Sequence, residues 1–432
     1  MSKQKPPKVY KHPFFHKFVF LIGLIVLLLI GARISYGLIE KARNNHAVKN
    51  FQAGLESFYT PPNPLPDSAP GTLLRYEPIT NLDVPGGTAY RILYTTEAPS
   101  GEPVVSSGMI FVPTSPAPED GRKVLAWAHG TLGFGIDCTP SRLYQPALEN
   151  LDMSYWLPSA MQRGWVVVAT DYTGIGTPGN TYYLIGQSEA QDVINSVRAA
   201  RNFETAQAGR VYATFGHSQG GHSSLSAAQY RHYAPELELV GSASAAPAAE
   251  LGALFTQQYD TTAAWAIGPD VAASWPAVYP NLPLEDVLTP KAQKEYQKLA
   301  GGCIVDEAGT ILAKHVLNES FFATNPLNNP AWAQATSEQT PNLTDIHVPL
   351  FVVQSTTDIV VLPDTTALLT QKACTLGKNI TVDWLNEVTH QDTAKVGGLL
   401  AIDWLQDRFM GQLPGNTCSQ PLPITPAQAT TE

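Results

Sequence analysis

The sequence is poor in positive charge over most of its length. Of 27 Lys and Arg in 432 residues, nine lie in the first fifty positions (Lys3, Lys5, Lys8, Lys11, Lys17, Arg33, Lys41, Arg43 and Lys49), against Glu40 alone among the 37 acids. Eighteen basic and 36 acidic residues remain after position 50, a net charge of −18 that repels phosphate backbones and excludes nucleic acid as a partner. HExxH, CxxC and clustered carboxylate–histidine patterns are absent, so no metal and no other cofactor is expected. No internal repeat is evident.

The chain also lacks an apolar run of full membrane length. Its longest, Phe18 to Ala32, has fifteen uncharged residues, short of the ~20 that a span needs. Behind the basic flank at 1–17, that run reads as a signal sequence, with the flank inside, the apolar segment entering the membrane and everything after it exported. Extension through residue 39, with Arg33 snorkelling, makes 18–39 a workable signal anchor. Cleavage would leave a secreted or periplasmic chain, although Ile30-Gly31-Ala32 and Ser35-Tyr36-Gly37 are mediocre cleavage sites. Cysteines are few: Cys138, Cys303, Cys374 and Cys418 all fall on the exported side, where an even number suggests two disulfides with three pairings open.

What is present describes a folded domain, 44% hydrophobic and 15% charged. Residues 40–70 read as a linker running into the Pro-rich PPNPLPDSAPG. RYEPI, GTAYRILYTTEA and EPVVSSGMIFVP then alternate as antiparallel strands do. KVLAWAHG, GWVVVATD, RVYATFGHS and ELVGSASAAPA are nearly continuous apolar runs, as in strands buried on both faces. Helical stretches lie between them: LPSAMQRG, and SEAQDVINSVRAARNF with apolar positions at Ala190, Val193, Ile194, Val197 and Ala200. This alternation predicts an α/β fold with a mostly parallel sheet and helices on both faces. Residues 249–340 interrupt the rhythm with helix-like pieces and no buried strand run. VPLFVVQS, ITVDWLN and the closing helix AKVGGLLAIDWLQDRFM restore it. The expected organisation is therefore a core at 71–248, an inserted cap at 249–340, the rest of the core at 341–412 and a tail at 413–432.

Chemistry concentrates on GHSQGG. Ser218 stands in Gly-x-Ser-x-Gly between a buried strand and a small-residue helix, a turn so sharp that glycines must flank it and the hydroxyl is lifted over a helix N-terminus. A serine hydroxyl needs a histidine to take its proton and an acid to orient that histidine, in chain order Ser, acid, His. His222 lies one turn along the same helix, His232 ends it, His315 falls in the insertion and His347 opens a strand at its wrong end. His390, in NEVTHQD after the last strand, is the histidine that follows the acid. Asp358 follows VPLFVVQS at the strand end where functional groups gather in open α/β sheets; Asp345 precedes that strand, and Asp364 is the fallback. The oxyanion needs backbone donors, one from Gln219 and one from the His129-Gly130-Thr131 loop, with Gly130 and Thr131 left open between them. Asp171 precedes Ser218, the wrong order, and reads as a structural residue bonding turn backbone; His217 reads as a packing and hydrogen-bonding residue.

HGTLGFGIDCTPS (129–141), ATDYTGIGTPG (169–179), GHSQGG, STTDIVV and the late TH resemble the α/β-hydrolases, and more narrowly the secretory lipase family that includes the yeast lipase A type, over residues 70–410. The resemblance implies ester hydrolysis, a cap inserted before the acid, and disulfides Cys138–Cys303 and Cys374–Cys418. The expected protein is an exported serine carboxylesterase or lipase acting on a small-molecule or lipid ester, in contact with the membrane through its N-terminal segment. A peptidase, amidase or acyltransferase on the same triad, and an inactive membrane-tethered binding protein, are the alternatives. Asn318, Asn342 and Asn379 stand in Asn-x-Ser/Thr sequences.

Overall fold

Nine strands form one sheet in the order β1-β2-β3-β5-β4-β6-β7-β8-β9. The computed structural model describes Arg43 and residues 46–143 and 151–429. β1 (Leu73–Pro78), β2 (Gly87–Glu97) and β3 (Pro103–Pro113) pair antiparallel, and β3 joins β5 (Val166–Thr170) antiparallel. From β5 onward, β4 (Arg122–Ala128), β6 (Ala208–His217), β7 (Glu238–Ala245), β8 (Leu350–Ser355) and β9 (Ile380–Leu385) run parallel. The chain passes from β4 out to β5 and back across to β6. The order reverses there, which opens a crevice at the carboxyl ends of β4 and β6.

The continuous apolar runs are explained by burial on both faces. Leu125, Trp127, Phe215 and Phe351 face a core closed by α1 (Leu157–Gln162) and a C-terminal helix carrying Ile402 and Leu405. Val124, Ala126, Val166, Val168 and Tyr212 face the other core, closed by α2 (Gly186–Arg201) through Val193, Ile194 and Val197.

Between β7 and β8 the described chain is helical: α3 (Leu251–Gln258), α4 (Thr262–Ser274), α5 (Leu284–Val287), α6 (Pro290–Ala300), α7 (Ile304–Val316) and α8 (Pro330–Gln339). Two starts are set locally, where Thr289 and Asn329 cap amides of Ala292 and Ala331 and a proline follows each at the first helical position. The segment has a core of its own, with Trp275 stacked on Trp332 and Trp265 edge-on to Phe321. Residues from Leu55 onward, this segment included, make one compact unit. Cys138–Cys303 ties the loop after β4 to the start of α7. Backbone bonds from Phe134 to Ala300 (2.8 Å) and from Ile304 to Leu132 (2.9 Å) reinforce the tie.

Two expectations need correction. Within the stretch read as a linker (40–70), residues 46–54 are helical, and residues 55–59 are helical with Leu55, Phe58 and Tyr59 buried; Tyr59 Oη lies 2.8 Å from Ser141 Oγ. The apolar side chains just before the prolines find a core, which the prolines mask. The closing helix is two helices, α10 (His390–Val396) and α11 (Gly398–Phe409), after α9 (Pro363–Thr375). They divide at Gly397, where a Cβ would meet the Val353 side chain at 2.6 Å.

Cys374–Cys418 ties the end of α9 to the tail. The tail runs beside β9, the Thr417 amide donating to Ile380 O (3.0 Å) and the Val382 amide to Thr417 Oγ1 (3.0 Å). The flank 1–17 and the apolar segment 18–39 lie outside the described residues, as do 144–150. Among the described residues no helix is long and apolar enough to cross a membrane.

Candidate active site

Ser218 joins β6 to the helix Gln219–Gln229 with φ 56° and ψ −114°, a left-handed backbone that costs a non-glycine residue of order 1–3 kcal/mol. Close packing enforces it. A Cβ on Gly216 would fall 1.8 Å from Gly220 O, and one on Gly220 would fall 1.9 Å from Ala128 O. The glycines thus let strand, turn and helix meet at the crevice over β4.

Three expected residues form one hydrogen-bonded line. His390 Nε2 is 3.0 Å from Ser218 Oγ and His390 Nδ1 is 2.7 Å from Asp358 Oδ2. All three are buried. Asp358 sits just past β8, where its Oδ1 accepts from the amides of Val360 (2.8 Å) and Val361 (3.1 Å) and its Oδ2 from Gln354 Nε2 (3.2 Å). Because Nδ1 faces a carboxylate it carries the proton, which leaves the Nε2 lone pair for the serine. Burial lowers the His390 pKa below its ordinary value, with the Asp358 hydrogen bond opposing. The arrangement can move a proton from Ser218 Oγ to His390.

His390, expected only to follow the last strand, is the first residue of α10. Thr389 caps that helix, its Oγ1 donating to Asp392 Oδ2 (2.7 Å) and accepting from the Asp392 amide (3.3 Å). The Thr389-x-x-Asp392 spacing was the available signal.

Gln219 opens its helix, so its amide has no carbonyl partner within it. Gly130 follows β4 closely enough that a Cβ there would stand 3.5 Å from Ser218 Cβ and 3.2 Å from His217 Nδ1. Thr131 Oγ1 is held by Tyr183 Oη at 2.7 Å. Asp364 lies in the first turn of α9, where its carbonyl accepts from Ala427. Asp171 accepts from Ser107 Oγ and from the Ser141 amide and hydroxyl, and burial raises its pKa.

Sequence reasoning missed the support beneath these groups. Buried Glu189, in α2, accepts from the Leu184 amide (2.9 Å), Gln219 Nε2 (2.8 Å), His222 Nδ1 (2.6 Å) and Ser223 Oγ (2.8 Å), so one carboxylate braces the helix behind Ser218. His222 Nε2 meets Gln339 O at 2.8 Å, and His217 binds Asp152 and the His390 carbonyl. His217 is the packing and hydrogen-bonding residue that its sequence position suggests, but no signal marked Glu189, Gln339 or Asp152 as the partners.

Residues 147–417 match the sequence model of the secretory lipase family. Lipase A of Moesziomyces aphidis is 24% identical over 401 residues, covering 85% of this chain and 82% of that protein. A secreted triacylglycerol lipase of Malassezia globosa is 25% identical over 394 residues, covering 86% and 82%. The solved structure of Candida antarctica lipase A superposes with a TM-score of 0.70 at 22% identity, over 87% of this chain and 91% of that one.

Proposed function

The chain belongs to the secretory lipase family, with the α/β-hydrolase fold and carboxylic ester hydrolysis as its activity, and from that premise we propose that it opens lipid esters through an acyl-enzyme on Ser218. Ser218 Oγ attacks the ester carbonyl as its proton passes to His390 Nε2. Asp358 holds the imidazole in the required tautomer and compensates the imidazolium, and His390 then protonates the leaving alcohol. Water, deprotonated by His390, releases the acid and restores Ser218.

The amide of Gln219 and one amide of the Gly130–Thr131 turn are the proposed oxyanion donors; removing one such donor typically costs ~10²–10³ in rate. Residues 249–340 are the proposed cap and supply the apolar acyl pocket. Export is the proposed destination, directed by the segment at 18–39 and supported by the family and by two disulfides.

The observation that carries the reading is the unbroken line from Ser218 Oγ through His390 to Asp358. Hydrolysis of p-nitrophenyl esters of increasing acyl length tests it, alongside covalent labelling by a fluorophosphonate. The expected result is turnover and labelling in the parent and neither in Ser218→Ala. Faster cleavage of matched anilides than of esters would replace the reading with amide hydrolysis, and an unlabelled parent would refute the nucleophile.

A further inference from the structure

Beside the proposed base lies a second histidine–carboxylate pair that the triad does not use. The buried ring of His217 lies against that of His390, centroids 4.8 Å apart and planes at 37°. His217 Nε2 is 2.9 Å from the backbone oxygen of His390, and Nδ1 is 3.1 Å from Asp152 Oδ2. One partner is a carbonyl, which can only accept; the other is a carboxylate. A neutral imidazole has one N–H, so with an ionised Asp152 it would set a lone pair against an acceptor on one side. Both contacts are satisfied only when a proton lies on the Nδ1–Oδ2 line as well as on Nε2. Burial pushes the Asp152 carboxyl up, but the hydrogen bond and charge of His217, with His129 and Lys395 adding, hold it below its ordinary value.

We propose that His217 and Asp152 are positioning residues: together they retain a proton, anchor the His390 backbone through Nε2–H, and turn positive charge toward the His390 ring so that the base stays unprotonated into acidic solution. The proposal rests on reading Ser218, Asp358 and His390 as the triad.

The charges around His390 come from several elements. Among the described residues, Asp358 beyond β8 favours the imidazolium and His217 at the end of β6 opposes it. Asp152, in the short helix Asp152–Tyr155 before α1, favours it more weakly. His129 after β4 and Lys395 on α10 act on Asp152, and Asp392, also on α10, is engaged by Thr389 and Lys395. Burial is the largest influence lowering the His390 pKa, and the His217 charge acts in the same direction.

The test is the pH profile of kcat/KM on soluble p-nitrophenyl butyrate for the parent, His217→Phe and Asp152→Asn, with fluorophosphonate labelling and thermal midpoints. In His217→Phe the His390 carbonyl loses its donor and the ring loses its positive neighbour. The rate should fall throughout, and the acid limb should move to higher pH, so that the ratio of rates at about pH 5 and about pH 8 drops several-fold. In Asp152→Asn the amide can donate to Nδ1, which leaves a neutral His217 still donating through Nε2. The loss near pH 8 should be smaller than in His217→Phe, with the acid limb again moved up. Uniformly lower rates with an unmoved limb in the folded variants, or a limb moved to lower pH, would overturn the proposal. Should His217→Phe not fold, the Asp152→Asn profile decides alone. A parent that takes no label would instead mark failure of the triad.

Discussion

Asp358→Asn is the substitution whose outcome the geometry determines most closely. The carboxylate is held by four donors, with Oδ1 facing the Val360 and Val361 amides and Oδ2 facing Gln354 Nε2 and His390 Nδ1. Asparagine has one oxygen and one NH2. Backbone amides cannot turn, so the oxygen takes the Oδ1 place and the NH2 takes that of Oδ2. Gln354 cannot turn to receive it, because its Oε1 accepts from Thr366 and its Nε2 also donates to the Ser355 and Val361 carbonyls. The relief open to the new NH2 is donation to His390 Nδ1. That forces the ring proton onto Nε2, against Ser218 Oγ, and the base can no longer accept. A wrong tautomer in such a triad costs ~10⁴ in kcat, equivalent to ~5 kcal/mol of barrier. Initial rates on a soluble ester at saturation would read it, with the thermal midpoint as control. Because the variant also removes a buried charge, folding should change far less than catalysis. A folded Asp358→Asn within tenfold of the parent rate would refute both the tautomer argument and the assignment of Asp358.

Three further outcomes follow from packing and connectivity. Gly220→Ala drives a Cβ into the Ala128 carbonyl, an overpacking that should cost ~1–3 kcal/mol or more in urea denaturation and misplace Ser218 in whatever folds. Glu189→Ala strips the Leu184 amide, Gln219 Nε2 and His222 Nδ1 of their acceptor, while Ser223 Oγ keeps the Gln219 carbonyl at 3.0 Å. At ~1–3 kcal/mol for a group left unsatisfied, its thermal midpoint should fall well below that of the exposed Glu204→Ala. The two disulfides should separate by function: opening Cys138–Cys303 or Cys374–Cys418 with paired serines removes loops of 165 and 44 residues, roughly 5 and 4 kcal/mol in the chain-entropy model. Only the first frees the chain beyond Gly130–Thr131, so it alone should lower kcat below the unfolding transition.

Much of the sheet was legible because its strands are buried on both faces, and continuous runs such as VVVAT have few other readings. Ser218 and His390 were legible because the chemistry prescribes an order and a turn. What stayed hidden was held by partners remote in sequence. Glu189 looks like one more polar position in SEAQDVINSV, yet it is buried because four donors surround it. Asp152 and His217 are 65 residues apart and meet only when the fold brings the short helix before α1 to the end of β6. Residues 55–59 looked like the approach to a Pro-rich linker, and only the core shows where Phe58 and Tyr59 go.

The strap along β9 has a consequence for truncated forms. β9 is the last strand of the sheet, and an exposed last strand offers its free amides and carbonyls to any other chain in solution. Residues 414–418 occupy that margin and lock it through Cys418. A chain shortened before Thr417 would bare a sticky edge and strand the thiol of Cys374 together, inviting both cross-strand aggregation and mixed disulfides. Trimming this terminus to aid expression would therefore work against itself.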